Sequence, residues 1–563
     1  MAKSLIIVFI IISQLTFAQN PYPQDYFRNP LDVTLVLSGT FAELRSNHFH
    51  SGLDIKTQQR EGLKVYTAAS GYISRIKISH WGYGKALYIT HPNGYTTVYA
   101  HLQKFAPKIE AYIKKLQYEK ESYEIEVFPK ITELLVDTDE VIAYSGNTGG
   151  SGGPHLHFEI RDNKERPINP LLFGIDIKDT RRPMILGLYA YPIGEDSHVN
   201  NDNEKTKLRI VPTNGGDYTA EAINAYGKIG FGVVTYDQQD LAANKNGVSN
   251  IQTFYNGNKN FEIDFKRFSF SETKHLNRLI DYAYFKEKKS RIQKLFVENN
   301  NPLSLYKNVI DNGYIVTEDS TASVYKLRVS DYKGNDTWIT IPISGKKSNT
   351  IKKKPRKTTE HFVYADQTNV LEDDNVTVYI PSNTFYDDFF IDFKAENDTL
   401  TLHESTVPAQ KNFTISFDIS RYQEPDKDKL FIARKVGYKD FVTYSSTKRK
   451  GNILSTSTKT LGTYTLATDT EKPKIRPVNF QDGKWLSKYR YLKLKITDDV
   501  SGIKNYRATI NGKWILMEYD YKKDSLVYDF NDNIVSETKN NLKIIVTDNV
   551  GNSSTFEATF FRK

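Results

Sequence analysis

The chain has 563 residues, 76 of them basic and 67 acidic, for a formal charge of +9, and it contains no cysteine. At about 150 residues per domain this length predicts three to four domains, and 39% hydrophobic with 25% charged residues excludes a disordered chain. Charges of both signs are spread along the sequence and read as solvated surface, so nothing points to nucleic acid, and the missing cysteines exclude both a disulfide framework and a cysteine-borne lipid anchor.

Residues 1–18 have the pattern of a secretory leader. Lys3 opens it, Leu5 to Ile12 is an apolar run, and Thr16-Phe17-Ala18 is a small-residue cleavage site, so the mature chain is expected to begin near Gln19. No later window carries about 18 apolar residues in a row, so no transmembrane segment is expected after cleavage. The expected location is exported, periplasmic as first choice, with secretion or the cell surface as alternatives.

Residues 19–178 are read as the first domain, with 46–173 as its core. Alternating patterns over Val65–Ile78, Ala86–Thr90 and Tyr95–His101 predict strands, and Pro92-Asn93-Gly94 predicts a tight hairpin. Charges at helical spacing predict a helical insertion at about 105–127, either a lid or a packed ornament. His80 and His91 lie beside turns and are expected to be exposed.

From Asp179 onward the sequence repeats itself. Asp179-Thr180-Arg181-Arg182-Pro183 returns as Asp469-Thr470-Glu471-Lys472-Pro473. Gly247 precedes Asn256-Gly257 as Gly502 precedes Asn511-Gly512. Val329-Ser330-Asp331 before Gly334-Asn335 returns as Val546-Thr547-Asp548 before Gly551-Asn552. The repeats predict a duplicated immunoglobulin-like β unit at 179–345, with a helical insert near Ser271–Glu298, and at 469–563. Residues 346–359 form a basic linker, and 360–468 a further β-rich unit of unassigned role. The class expected for the whole chain is mainly β: an N-terminal antiparallel sheet domain with a helical insertion, then about three β-sandwich-like domains in an elongated arrangement.

Four pieces of the first domain carry chemistry: His50-Ser51-Gly52-Leu53-Asp54, Val98-Tyr99-Ala100-His101-Leu102, the turn Gly146–Pro154, and His155-Leu156-His157-Phe158-Glu159. His155 and His157 are two apart and share a face if extended, as do His50 and Asp54, four apart. Gly52 between them permits close backbone approach. His101 closes a strand in phase with Thr97 and Tyr99. Imidazoles and a carboxylate aimed into one groove suit zinc, which binds both and in catalytic sites keeps an open position for water. Two imidazoles beyond the ligand set can move protons near neutral pH.

In this order, and with this Gly-rich turn, the pieces resemble the lysostaphin/LytM-type zinc peptidases. The likeness covers about 46–173. It implies metal ligands His50, Asp54 and His157, proton-handling histidines His101 and His155, one zinc ion, a β-sheet groove walled by loops, and peptide cross-links of peptidoglycan as substrate. Two departures stand out: the long insertion between His101 and His155, and Asp137-Thr138-Asp139-Glu140 where the family often has a basic residue and glycine. The expected function is a zinc endopeptidase of cell-wall remodelling. The alternatives are a non-catalytic peptidoglycan-binding or hydrolase-regulating envelope protein, and a peptidase acting on exported proteins. The C-terminal β units are expected to position the domain against the wall or an envelope partner.

Overall fold

The computed structural model describes residues 21–353, 355 and 357–563, so the expected leader lies outside the described residues. The described chain is dominated by strands, and its longest α-helix has 14 residues. The first third opens with β1 (Leu37–Gly39), β2 (Leu53–Lys56), β3 (Lys64–Tyr66), β4 (Gly71–Ile78), β5 (Lys85–Thr90) and β6 (Thr96–Leu102). There follow β7 (Lys104–Phe105), α1 (Pro107–Lys120), β8 (Ile125–Val127), β9 (Leu135–Val136), β10 (Val141–Tyr144), β11 (His155–Arg161) and β12 (Pro167–Ile168).

These strands build an antiparallel sheet in the order β1-β2-β11-β6-β5-β4-β8, flanked by a small sheet β3-β10-β7. The hairpin between β5 and β6 turns where Asn93-Gly94 predicts, with Gly94 at φ +84°. Leu53, Ile55, Tyr99, Leu156 and Phe158 fill a core on one face of the sheet. Because side chains alternate, the residues between them face the other way, and among these are Asp54, His155 and His157.

The helical insertion is centred on α1. Pro107 starts it without losing a hydrogen bond, and Glu121 ends it in the left-handed conformation. Ile109, Ile113 and Gln117, four apart, are its buried stripe. The end of the expected insertion, Ile125–Val127, is instead an edge strand paired with β4.

One buried core runs without a break from Phe27 to Ile343, so the first sheet and the twelve-stranded sheet of Met184–Gly345 fold around common side chains. Phe268 lies 5.3 Å from Phe41 and 5.4 Å from Phe49, ring centre to ring centre, at the join. The expected two-sheet sandwich in 179–345 is here a single hydrogen-bonded network. The strand Ile223–Tyr236 is long enough to pair with four others, which links what would otherwise be separate layers. The expected helical insert appears as three short turns within Thr273–Lys288.

Further along, two five-stranded sheets enclose a core from Val363 to Tyr464, and a four- and a five-stranded sheet enclose another from Phe480 to Phe560. The expected elongated arrangement is not what the chain adopts. Its last sheet pair folds back onto the first domain. Lys114 Nζ lies 2.6 Å from Asp532, the Tyr118 hydroxyl donates to the same carboxylate at 2.6 Å, and Arg507 meets Glu121 at 2.5 Å. Lys114 and Tyr118 lie on the flank of α1 beside its buried stripe, and Glu121 caps its end. The insertion is therefore a bridge between domains, a third outcome beside lid and ornament.

Candidate metal centre

The register of the sheet assembles the site. Asp54 on β2 pairs directly with His157 on β11, so their side chains stand together on the face away from the core. His50 lies in the loop before β2, and Gly52 lets that loop lie against β11: a Cβ at Gly52 would stand 2.2 Å from the Phe158 carbonyl oxygen.

Three donor atoms converge. His50 Nε2 is 3.0 Å from Asp54 Oδ1 and 3.1 Å from His157 Nδ1, and His157 Nδ1 is 2.9 Å from Asp54 Oδ1. The second nitrogen of each imidazole is engaged elsewhere. His50 Nδ1–H donates to the Thr40 carbonyl at 2.7 Å, and His157 Nε2–H donates to Glu159 Oε1 at 2.8 Å. These partners fix the tautomers and leave His50 Nε2 and His157 Nδ1 as lone pairs aimed at each other and at a carboxylate oxygen. Such an arrangement attracts positive charge to its centre, a proton or a metal ion, and the electrostatics agree. Burial would lower the pKa of His157, yet hydrogen bonds to Asp54 and Glu159 raise it to about 9. Burial would raise that of Asp54, yet His50 and bonds from His155, His157 and His50 hold it well below the carboxylate range. Nitrogen and oxygen donors in this set fit a zinc-type ion.

His155 and His101 flank the cluster. His155 Nδ1–H donates to the Gly153 carbonyl at 2.9 Å, and its Nε2 lies 3.3 Å from Asp54 Oδ1. His101 Nδ1–H donates to the Thr148 carbonyl at 2.9 Å, and the two rings are 4.8 Å apart. His101 lies 5.8 Å from His157, ring centre to ring centre. Burial, with the neighbouring His157 and His155, pushes His101 down to about 3, so its imidazole is neutral. Strict alternation would turn His101 toward the core with Thr97 and Tyr99. The structure differs: β6 carries an extra residue opposite Ala86, and His101 takes φ +58°. This bulge swings the ring onto the groove face.

Several contributors escaped the sequence reading. Glu159, fully buried, accepts from Ser51 Oγ at 2.6 Å, the Tyr83 hydroxyl and Arg161 Nε at 2.6 Å as well as from His157. Burial opposes its charge, but Arg161 and His157 keep it ionised, well below the usual range. Arg45 donates to Asp54 Oδ2 at 2.8 Å. The signal for Glu159 was present: it continues the period of two from His155 and His157. The Thr40 and Thr148 carbonyls have no sequence signal, since any residue supplies one. His48, exposed, takes no part in the donor cluster. His91, expected at the surface, is buried between the Ser70 carbonyl and Thr97 Oγ1, and His80 is half-buried, stacked on Tyr123. Both turns are covered, one by the approach segment at Phe27 and the other by the C-terminal unit at Tyr519.

The Gly-rich turn that aims His155 is braced from far away. Gly149, at φ +69°, packs against the backbone of Gly82 and Gly84 so closely that a Cβ would stand 2.3 Å from Gly84 N. Lys522 Nζ donates to the carbonyls of Asn147 and, at 3.1 Å, Ser151, while Tyr521 stacks on Trp81 at 3.8 Å.

Residues 48–118 match Peptidase family M23, and residues 360–469 match a Zu5-like domain. A DD-carboxypeptidase/endopeptidase Mpg of Neisseria meningitidis serogroup B is 35% identical over 128 residues, which are 23% of this chain and 23% of that protein. An uncharacterized metalloprotease of Haemophilus influenzae is 34% identical over 122 residues, 22% of this chain and 20% of that protein. The chain thus spans under a quarter of the length of the curated relatives it matches. The catalytic domain of the antimicrobial peptidase lysostaphin from Staphylococcus simulans aligns with 27% of this chain and 92% of its own at 23% identity, with a TM-score of 0.17. With the motifs, the antiparallel sheet and the His/Asp/His cluster in place, the N-terminal part of this chain is similar to the LytM-type peptidases of family M23.

Proposed function

We propose that the protein is a zinc-dependent endopeptidase that hydrolyses peptide cross-links of bacterial peptidoglycan from an exported, periplasmic location. The observation that carries this reading is the tautomer pattern: four imidazoles each have one N–H bound to a fixed acceptor, and those of His50, His155 and His157 turn the other nitrogen to Asp54 Oδ1. His50 Nε2, Asp54 Oδ1 and His157 Nδ1 would hold the ion. Bound there, zinc would supply a Lewis acid that lowers the pKa of water toward about 7.

The remaining chemistry belongs to the chain. His155 and His101 offer Nε2 lone pairs on the groove face, so either accepts the proton that water releases as its oxygen attacks the scissile carbonyl. The imidazolium so formed returns the proton to the leaving amine nitrogen, which balances the hydrolysis. Ser151 Oγ and the Gly153 carbonyl hold the ring of His155, and the Thr148 carbonyl that of His101. The relatives' names and the family match support a peptidase acting on wall peptides.

The test uses the full chain loaded with zinc and purified sacculi. His155→Ala is expected to lower muropeptide release at least about 100-fold while its melting temperature and zinc content stay near wild type. Mass spectrometry of the released fragments identifies the bond broken. Undiminished release by His155→Ala, or zinc-loaded wild type that binds sacculi and releases nothing, would overturn the reading in favour of a wall-binding protein.

A further inference from the structure

Two further clusters of acids share no residue with the zinc-type centre and lie at matching places in the two repeat-bearing units. Asp179, Asp237 and Asp331 bring carboxylate oxygens within 4.8 Å of one another, and so do Asp469, Asp498 and Asp548. The equivalence is close. Asp179 and Asp469 lie in the connectors that enter each unit. Asp237 and Asp498 directly follow the strands Ile223–Tyr236 and Tyr491–Thr497, and Asp331 and Asp548 end or follow the strands Ala322–Ser330 and Lys539–Asp548.

The surrounding bonds are repeated as well. Asn335 donates its N–H to Asp331 Oδ1 at 2.9 Å and its Nδ2–H to Asp331 Oδ2 at 2.7 Å and the Asp179 carbonyl at 3.2 Å. Asn552 does the same to Asp548, at 2.8 and 2.7 Å, and to the Asp469 carbonyl at 3.0 Å. These bonds hold the acids in place but neutralise none of them. Among the described residues, no lysine or arginine side chain forms an ion pair with any of the six carboxylates, although the Arg181 backbone N–H donates to Asp179 Oδ1 at 3.2 Å.

What points to a ligand is an atom without a partner. Asp237 is 3% exposed, and its Oδ1 is buried with no hydrogen bond, although the carboxylate reaches into the first cluster. Beside the second cluster, Ser501 gives its N–H to Asp469 Oδ2 while its own Oγ is buried and unpartnered. A buried, unpartnered carboxylate oxygen is costly unless a cation meets it.

We propose that each cluster is a calcium site, one at the entrance of each duplicated β unit, where the ion ties the entering connector to the ends of two strands. The donors are all oxygen, which selects a hard cation. Three carboxylates converge on one point, which suits the larger calcium ion better than magnesium, since magnesium retains most of its waters. The ions would fix the direction in which each unit leaves the one before it, and so the placement of the C-terminal unit on the peptidase domain.

The experiment titrates calcium, and separately magnesium, into the zinc-loaded full chain by calorimetry, after treatment with a chelator selective for calcium over zinc. Two calcium ions per chain are expected, with dissociation constants at or below about 10⁻⁴–10⁻³ M, the range of extracellular calcium modules. The thermal midpoint should rise with calcium. Asp237→Asn and Asp498→Asn should each remove one ion and leave zinc content unchanged. No calcium uptake by the wild type at about ten times that range, two ions retained in both variants, or equal affinity for magnesium would overturn the proposal. The wild-type titration decides the matter even if a variant fails to fold.

Discussion

Glu159 takes four hydrogen bonds in the interior, and its link to the chemistry is the Nε2–H of His157. It is a positioning residue: it fixes which nitrogen of His157 faces the ion and which way the ring lies. Glu159→Gln is therefore expected to weaken zinc binding by about 10–100-fold, the usual effect of losing such a partner, with the loss read by competition against a zinc indicator. His101→Ala should differ: zinc affinity close to wild type, and a fall in kcat of at least about 100-fold. Unchanged zinc affinity in Glu159→Gln would mean that Thr40 and the sheet alone orient the ligands. At this scale the sequence was informative because His50, Asp54, His101, His155 and His157 are chemically distinctive and closely spaced in three short stretches. Their acceptors were not legible, because any residue supplies a backbone carbonyl, and those of Thr40 and Thr148 reach the rings only once their loops are folded against the sheet.

Two departures from ideal strand geometry make the site at the level of elements. The bulge at His101 reverses the face that alternation assigns to it, and the bare backbone of Gly52 lets the His50 loop approach β11. Gly52→Ala would push a methyl group against the Phe158 carbonyl. An overpacked contact of this kind costs about 1–3 kcal/mol, so a lower melting temperature and weaker zinc binding are expected together. Wild-type values for both would show that the loop moves freely. The glycine's use was readable from its place between His50 and Asp54. The bulge was not, because nothing in Val98-Tyr99-Ala100-His101 breaks the pattern; the extra residue exists only relative to β5. Likewise Asp139, in the turn where relatives often carry glycine, takes a left-handed φ of +68°, a conformation a short acidic side chain tolerates.

Across the whole molecule, the first and last folded units touch beside the catalytic groove. Lys522 crosses nearly four hundred residues of sequence to hold the carbonyls of Asn147 and Ser151 in the turn that aims His155. Lys522→Ala is expected to lower kcat about tenfold, since a charge-assisted bond is worth roughly 1.5–3 kcal/mol, with zinc content unchanged. A rise in activity would mean that the C-terminal unit covers the groove rather than bracing it. This docking left little trace in the sequence. Lys114, Tyr118, Glu121 and Tyr521 look like ordinary polar surface, and the shared core of the first two sheets is hidden because Phe41 and Phe268 each read as interior residues of their own segments. The recurrence of Asp179 and Asp331 as Asp469 and Asp548 was legible, whereas the place of Asp237 and Asp498 beside them was not. The claim on which the account rests is that His50, Asp54 and His157 grip a single ion. Anomalous diffraction at the zinc edge from crystals of the full chain tests it most directly. The expected result is a peak about 2.0–2.2 Å from His50 Nε2, Asp54 Oδ1 and His157 Nδ1, lost in Asp54→Ala; zinc bound by other residues, or no peak at these three in zinc-loaded protein, would contradict it.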